Sequence, residues 1–163
     1  MICEATPLNY AEIMALVKAA KKHYDAEILN NIIVPLEREL KMWKRGNKPY
    51  PNFSVFVKKK GNSIIGVSTE YIEKNSRLGD IGTSSITLVH PSHQGTGVGT
   101  EFYKDKIERW KRRGCAYGRI MPYSEITKKI IGSLGFDTAE KVLGERALTA
   151  HHAWEWVDLK RGD

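Results

Sequence analysis

The sequence predicts an α+β domain of about seven strands and about four helices, on three observations. Apolar residues recur at helical spacing in several segments, such as Ile13, Leu16, Val17 and Ala20. Short alternating or β-branched runs lie between them, two joined directly by Gly61-Asn62. The stretch from Ile86 to Thr100 reads Ile-Thr-Leu-Val-His-Pro-Ser-His-Gln-Gly-Thr-Gly-Val-Gly-Thr, a strand that passes through a glycine-rich turn into a helical pattern. At 163 residues the chain fits a single domain, 1–163, able to build a core without disulfide or metal staples.

In chain order, residues 1–5 read as a first strand. Thr6-Pro7 and Asn9 then supply a turn and a cap before a helix over 10–20. A second helix is expected over 27–45, carried by Ile28, Ile32, Leu36, Leu40 and Trp43, with an early kink or break at Pro35. Residues 46–52 are a loop by composition. A hairpin follows, with strands over 53–57 and 63–72 and the run Lys58-Lys59-Lys60 at its solvated tip. A turn at 75–79 leads to a strand over 81–89. Beyond the glycine turn a helix is expected over 98–113. Val98, Phe102, Ile107 and Trp110 mark its buried side, while Lys104, Lys106, Lys111, Arg112 and Arg113 are exposed, crowding a C-terminus whose dipole they complement. A strand over 114–122, a helix over 124–134 capped by Ser124, and a final pair of strands within 136–159 complete the domain. Arg161-Gly162-Asp163 reads as a polar tail.

Hydrophobic residues make up 41% and charged residues 28%, which excludes a disordered chain. No run approaches the roughly 20 apolar residues that cross a bilayer. The first residues show no basic segment followed by an apolar one, so a cytoplasmic location without membrane association is expected. Cys3 and Cys115 are expected as free thiols. His151 and His152 are adjacent and would point to opposite faces of a strand, so no metal site is expected. No serine or cysteine stands in a nucleophile elbow.

Gly95, Gly97 and Gly99 allow positive φ and close approach of backbone amides to an anion, and the helix start adds unpaired N–H groups. A phosphate cradle is the natural reading. A Walker loop would need Gly-Lys-Ser or Gly-Lys-Thr where Val98-Gly99-Thr100 stands, and a Gly-x-Gly-x-x-Gly fingerprint ends on Thr100 or Phe102 instead of glycine.

Gln94-Gly95-Thr96-Gly97-Val98-Gly99, preceded by Val89-His90-Pro91 and followed later by Leu134-Gly135-Phe136, resembles motif A and the flanking phrases of the GCN5-related N-acetyltransferases, the GNAT family. The resemblance implies a central twisted, mixed, mostly antiparallel sheet in a three-layer arrangement. It also implies that the turn from Gln94 to Thr100 (Gln94, Gly95, Thr96, Gly97, Val98, Gly99, Thr100) holds the pyrophosphate of acetyl-CoA, the co-substrate. Main-chain groups of Thr87, Leu88 and Val89 would take the pantetheine arm like a further strand and polarise the carbonyl. Ser124 falls where relatives often carry a coenzyme-binding asparagine.

Two positions depart from the family pattern. Its strand-four glutamate, six residues before the valine of the Val-x-Pro phrase, is Thr83 here, and threonine is no base near neutral pH. Its tyrosine acid, four residues before the glycine of the Gly-Phe phrase, is Ile131. A base must then come from Glu70, Glu73, Asp80 or His90, with Glu70 the first choice, or the amine arrives deprotonated from solvent. Tyr123 or Ser124 is the substitute acid. Alternation places Thr83, Ser85 and Thr87 on one polar face bordering the cleft, with Ser84, Ile86 and Leu88 on the other.

The expected function is therefore acetyl-CoA-dependent N-acetylation of a primary amine, small-molecule or protein, by direct attack in a ternary complex, with the protein a monomer or homodimer. Two alternatives stay open. One is a coenzyme-binding module without turnover, on the strength of Thr83 and Ile131. The other is a nucleic-acid-directed enzyme, on the net charge of +7 and the lysine run, although coenzyme A is itself polyanionic and nucleic acid is not the favoured partner.

Overall fold

The computed structural model describes residues 1–160, and the Arg161-Gly162-Asp163 tail lies outside them. The strands are β1 (Ile2–Glu4), β2 (Ser54–Lys60), β3 (Ser63–Asn75), β4 (Gly79–Val89), β5 (Tyr117–Ile120) and β6 (Glu155–Asp158). They form one six-stranded sheet in the order β1-β2-β3-β4-β5-β6. β1–β2, β2–β3 and β5–β6 pair antiparallel and β4–β5 parallel, so the α+β class and the mostly antiparallel sheet are as expected. The helices are α1 (Tyr10–Lys21), α2 (Ala26–Ile28), α3 (Val34–Lys44), α4 (Val98–Arg112), α5 (Glu125–Ser133) and α6 (Ala139–Leu143).

One strand fewer than expected forms, because the segment read as a final strand pair folds differently. Thr138 accepts the Lys141 N–H and starts α6, whose Ala139 and Leu143 are buried one turn apart. Short 3-10 turns follow at Gly144–Arg146 and Thr149–His151, and the only sheet contact left to this stretch among the described residues is the bridge Asp137↔Trp156. His151 and His152 thus sit at a 3-10 turn, not in a strand, His151 buried and His152 exposed.

Three local expectations also change. Asn9 does not cap α1; its Oδ1 accepts the Thr6 N–H at 3.0 Å, closing the 3-10 turn Pro7–Asn9 instead. The break near Pro35 takes the form of a π turn, Leu29–Ile33, in which Val34 N–H reaches back to Leu29 O. A wider turn ahead of proline absorbs the hydrogen bond that its ring cannot make. The lysine run is strand, not tip: Lys58 pairs with Gly66 and Lys60 with Ser63, leaving Gly61 (φ +60) and Asn62 as the turn.

The chain forms two compact units, Met1–Tyr71 with Ile86–Phe102, and Ile72–Ser85 with Tyr103 onward. In the first, α1 and α3 bury Ile13, Leu16, Val17, Leu36 and Leu40 in one cluster with Val55, Val57, Val67, Ile86 and Leu88. A second cluster joins Phe56 and Ile65 to Val98 and Phe102 of α4. In the second unit Trp110 is fully buried, and a Cβ on Gly82 or Gly118 would stand 2.3 or 2.8 Å from its indole, so glycine is what lets the ring lie flat on the strands. Lys106, expected on the exposed side of α4, has no exposed surface. It completes the i,i+4 row Val98, Phe102, Lys106, Trp110, and its Nζ donates to Ser84 Oγ at 2.5 Å.

Candidate functional site

The turn after β4 is built on glycine. His90 N–H donates to Ile65 O and anchors the strand end, and Pro91–His93 makes one 3-10 turn. Gly95 and Gly97 take φ of +77 and +90, the left-handed region that any side chain would strain. The first turn-spanning bond beyond them is Glu101 N–H to Gly97 O. Residues 94–97 form a hydrogen-bonded turn that runs straight into α4 at Val98. A Cβ added at Gly95, Gly97 or Gly99 would find nothing within 4 Å, so the side these glycines present is open. The open glycine turn and the positive end of a 15-residue helix make an anion site of the kind phosphates occupy.

Side chains brace this loop. Gln94 Nε2 donates to Val89 O at 3.3 Å and to Tyr24 Oη, tying the turn to the α1–α2 junction. Partial burial raises the Tyr24 pKa, and the bond from Gln94 partly offsets it. Thr96 Oγ1 donates to His93 O. His90 Nδ1 accepts from Ser92 N–H at 3.1 Å and lies 2.7 Å from Ser92 Oγ, which leaves the neutral ring's proton on Nε2.

On β4, the parallel register with β5 runs from Ile81↔Tyr117 to Ser84↔Ile120 and ends there, while β4 continues through Ser85, Thr87 and Leu88 to Val89. The strict alternation expected along β4 is interrupted. Gly82 and Ser84 meet Trp110 and Lys106 of α4, whereas Ile86 and Leu88, of the same parity, pack in the cluster with α1 and α3. At the interruption, Ile86 N–H donates to Thr69 Oγ1 at 3.2 Å, and Ile86 O accepts from Ser68 Oγ at 3.2 Å. Ser68 Oγ also lies 2.7 Å from Thr87 Oγ1, and Thr69 Oγ1 donates to Glu39 Oε1 of α3 at 2.8 Å.

The residues expected to move protons are scattered in character. Glu70 is 2% exposed, opposite Ser54 in the β2–β3 register, on the face of Phe56 and Ser68. Ser85 is half-buried, and Tyr123, just ahead of α5, is 49% exposed. Ser124 Oγ accepts the Thr127 N–H at 3.1 Å and donates to Thr127 Oγ1 at 3.0 Å, so it caps α5. Thr83 is fully buried and its Oγ1 accepts from Arg119 Nε at 3.0 Å. Arg119 in turn donates to Glu73 Oε2 at 2.9 Å and lies 4.6 Å over the Trp154 ring. Ile131 is fully buried. The position that carries a carboxylate in the family therefore faces a guanidinium here.

Sequence reasoning missed Glu39, Lys106 and Arg119. A charged residue flanked by apolar ones at i−3 and i+1 (Leu36, Leu40), or inside an i,i+4 apolar row (Phe102, Trp110), was the available signal for the first two. Arg119 gave none beyond lying in a short apolar run. Among the described residues no group of three His, Cys, Asp or Glu side chains is placed to hold a metal ion, and no helix is long and apolar enough to cross a membrane.

Solved structures share this architecture. A GNAT-family acetyltransferase from Streptococcus pneumoniae is 15% identical, with 85% of this chain and 84% of that one covered and a TM-score of 0.64. The PaiA N-acetyltransferase of Thermoplasma acidophilum, solved with coenzyme A, is 10% identical over 97% of this chain and 98% of its own, with a TM-score of 0.67. YncA of Salmonella typhimurium, solved with its cofactor acetyl-CoA, is 18% identical over 99% and 95%, with a TM-score of 0.65. No family model and no curated protein matches the sequence. The chain has the fold of the GCN5-related N-acetyltransferases.

Proposed function

We propose that residues 1–163 work as a single acetyl-CoA-dependent N-acetyltransferase domain, acting in the cytoplasm on a primary amine. One observation carries the reading: a turn with positive φ at Gly95 and Gly97, open beside each glycine, runs straight into the start of α4. That arrangement fits a diphosphate, and coenzyme A or acetyl-CoA accompanies two of the neighbours with this fold. The backbone of Thr87, Leu88 and Val89, past the end of the β4–β5 register, would take the pantetheine arm.

The amine attacks the thioester carbonyl directly, so the C–N bond forms as the C–S bond breaks and the thiolate leaves with a proton. Holding the two reactants together supplies much of the barrier reduction. Thr83 is spent on Arg119, so we take the free amine from solvent and assign no side-chain base. Tyr123 is the group we assign to protonate the thiolate, directly or through water, since Ser124 is committed to its cap. Ser85 lines the cleft. The acceptor is a small molecule or a protein amino group.

Isothermal titration of the folded protein with acetyl-CoA, followed by thiol release on an amine panel, tests this. Binding with repeated turnover is expected, and no binding would sink the reading. The commitment of Thr83 to Arg119 and the burial of Ile131 favour a second reading, a coenzyme-binding module without turnover. Binding with no thiol release on any amine would select it.

A further inference from the structure

We propose that Ser68 and Thr69, with the buried Glu39 behind Thr69, form a clamp on Ile86 that positions Thr87, Leu88 and Val89 for the acyl donor, an inference that rests on the acetyl-CoA reading above. Both backbone polar groups of Ile86 are held by side chains of two consecutive β3 residues. Consecutive strand residues point to opposite faces, so the two hydroxyls grip Ile86 from both sides of the sheet. Ser68 lies opposite Phe56, which packs with α4, and Thr69 opposite Val55, which packs with α1 and α3.

The polarity of the clamp is set from α3. Thr69 has one hydroxyl proton, and the Glu39 carboxylate, 5% exposed, takes it at 2.8 Å. The lone pairs of Thr69 Oγ1 are then left for the Ile86 N–H. On the other face Ser68 gives its proton to Ile86 O, so the 2.7 Å contact with Thr87 has Thr87 as donor. The two hydroxyls hold Ile86 at the point where the alternation of β4 is interrupted, between Ser84 and Ile86. Burying a glutamate is costly unless it is well bonded, and a plain sheet would not require one here. The interruption re-aims the residues that follow, which are those assigned to the pantetheine arm. Glu39 and Thr69 are thus positioning residues, remote from the reacting atoms.

Thr69→Val removes the hydroxyl and keeps the β-branched shape, while Thr69→Ser restores it. Glu39→Ala removes the acceptor behind it, while Glu39→Gln keeps an oxygen. Thr69→Val and Glu39→Ala are expected to raise both Kd and KM for acetyl-CoA about tenfold with the acceptor KM unchanged, and Thr69→Ser and Glu39→Gln to stay within about threefold of wild type. The Ile86 amide resonance should shift and exchange faster with solvent in the first pair alone. Should Thr69→Val not fold, the Glu39 pair gives the same contrast. Wild-type acetyl-CoA affinity with an unmoved Ile86 amide in folded Thr69→Val or Glu39→Ala overturns the clamp. So does equal loss in Glu39→Ala and Glu39→Gln, which would make charge and not hydrogen bonding the operative property. A wild-type protein that does not bind acetyl-CoA overturns the purpose assigned to the clamp together with the functional reading, and the amide measurements tell that failure apart from a failure of the clamp itself.

Discussion

The turn that follows β4 and the half of β4 paired with β5 are near neighbours in sequence and opposites in construction. The turn is backbone: positive φ at Gly95 and Gly97, and open space beside each glycine at the start of α4. The paired half is side chain: Thr83 bonded to Arg119, Arg119 to Glu73, Ser84 to Lys106, and Gly82 pressed on Trp110. The first region presents open backbone, and the second has spent its polar groups on itself. On the acetyl-CoA reading proposed above, donor binding would rest on backbone and proton transfer on side chains.

The pH dependence of the rate puts that contrast under the greatest strain. With no side-chain base, kcat/KM should climb about tenfold per pH unit until the acceptor's own amine pKa is reached. A plateau in the carboxylate or histidine range would reveal a base that the spent region conceals. Gly97→Ala comes next. Nothing packs within 4 Å of that position, so the damage comes from φ +90 alone and is felt when the ligand draws the turn back into shape. A penalty of about 1–2 kcal/mol corresponds to about five- to thirtyfold weaker acetyl-CoA binding by titration, with the thermal midpoint little changed.

Glu73→Gln should change kcat/KM by less than about threefold, since the carboxylate serves Arg119 in a partly exposed pair; a loss of about a hundredfold would make Glu73 the base. The smallest effect concerns His151. Burial, with Arg119 and Arg77 nearby, lowers its pKa, and its Nδ1 accepts the Leu148 N–H as only the unprotonated nitrogen can. The unfolded chain takes up the proton more readily, so this contribution is complete above the ordinary histidine value of about 6.5 and declines as pH falls below it. Denaturant midpoints at pH 7.5 and 5.5 should show the decline in wild type and less of it in His151→Gln.

What the sequence made legible follows from how local each signal is. The hairpin at Gly61-Asn62, the helix face of Ile13, Leu16 and Val17, and the Ser124 cap depend on residues a few positions apart, and the structure shows each. The glycine turn is local as well, and the structure gives Gly95 and Gly97 the positive φ that glycine allows. Lys106 was misjudged because charge outweighs position in a reading by residue type, and its role depends on Ser84, 22 residues away. The Glu39 to Thr69 bond spans 30 residues and the Arg119 to Glu73 bond 46, so neither leaves a trace in any short window. The final segment failed for another reason: apolar alternation near Ala147 and Leu148 looks like strand, but those two residues link the short 3-10 turns Gly144–Arg146 and Thr149–His151.

The π turn at Leu29–Ile33 is in effect one surplus residue carried inside a helix. Because the wide turn absorbs that residue, the turns on either side of it keep about the phase of a regular helix one residue shorter. Tyr24, whose hydroxyl meets Gln94, lies on its N-terminal side. A one-residue deletion within 29–33 would therefore let the winding become regular and leave the brace on the loop in place.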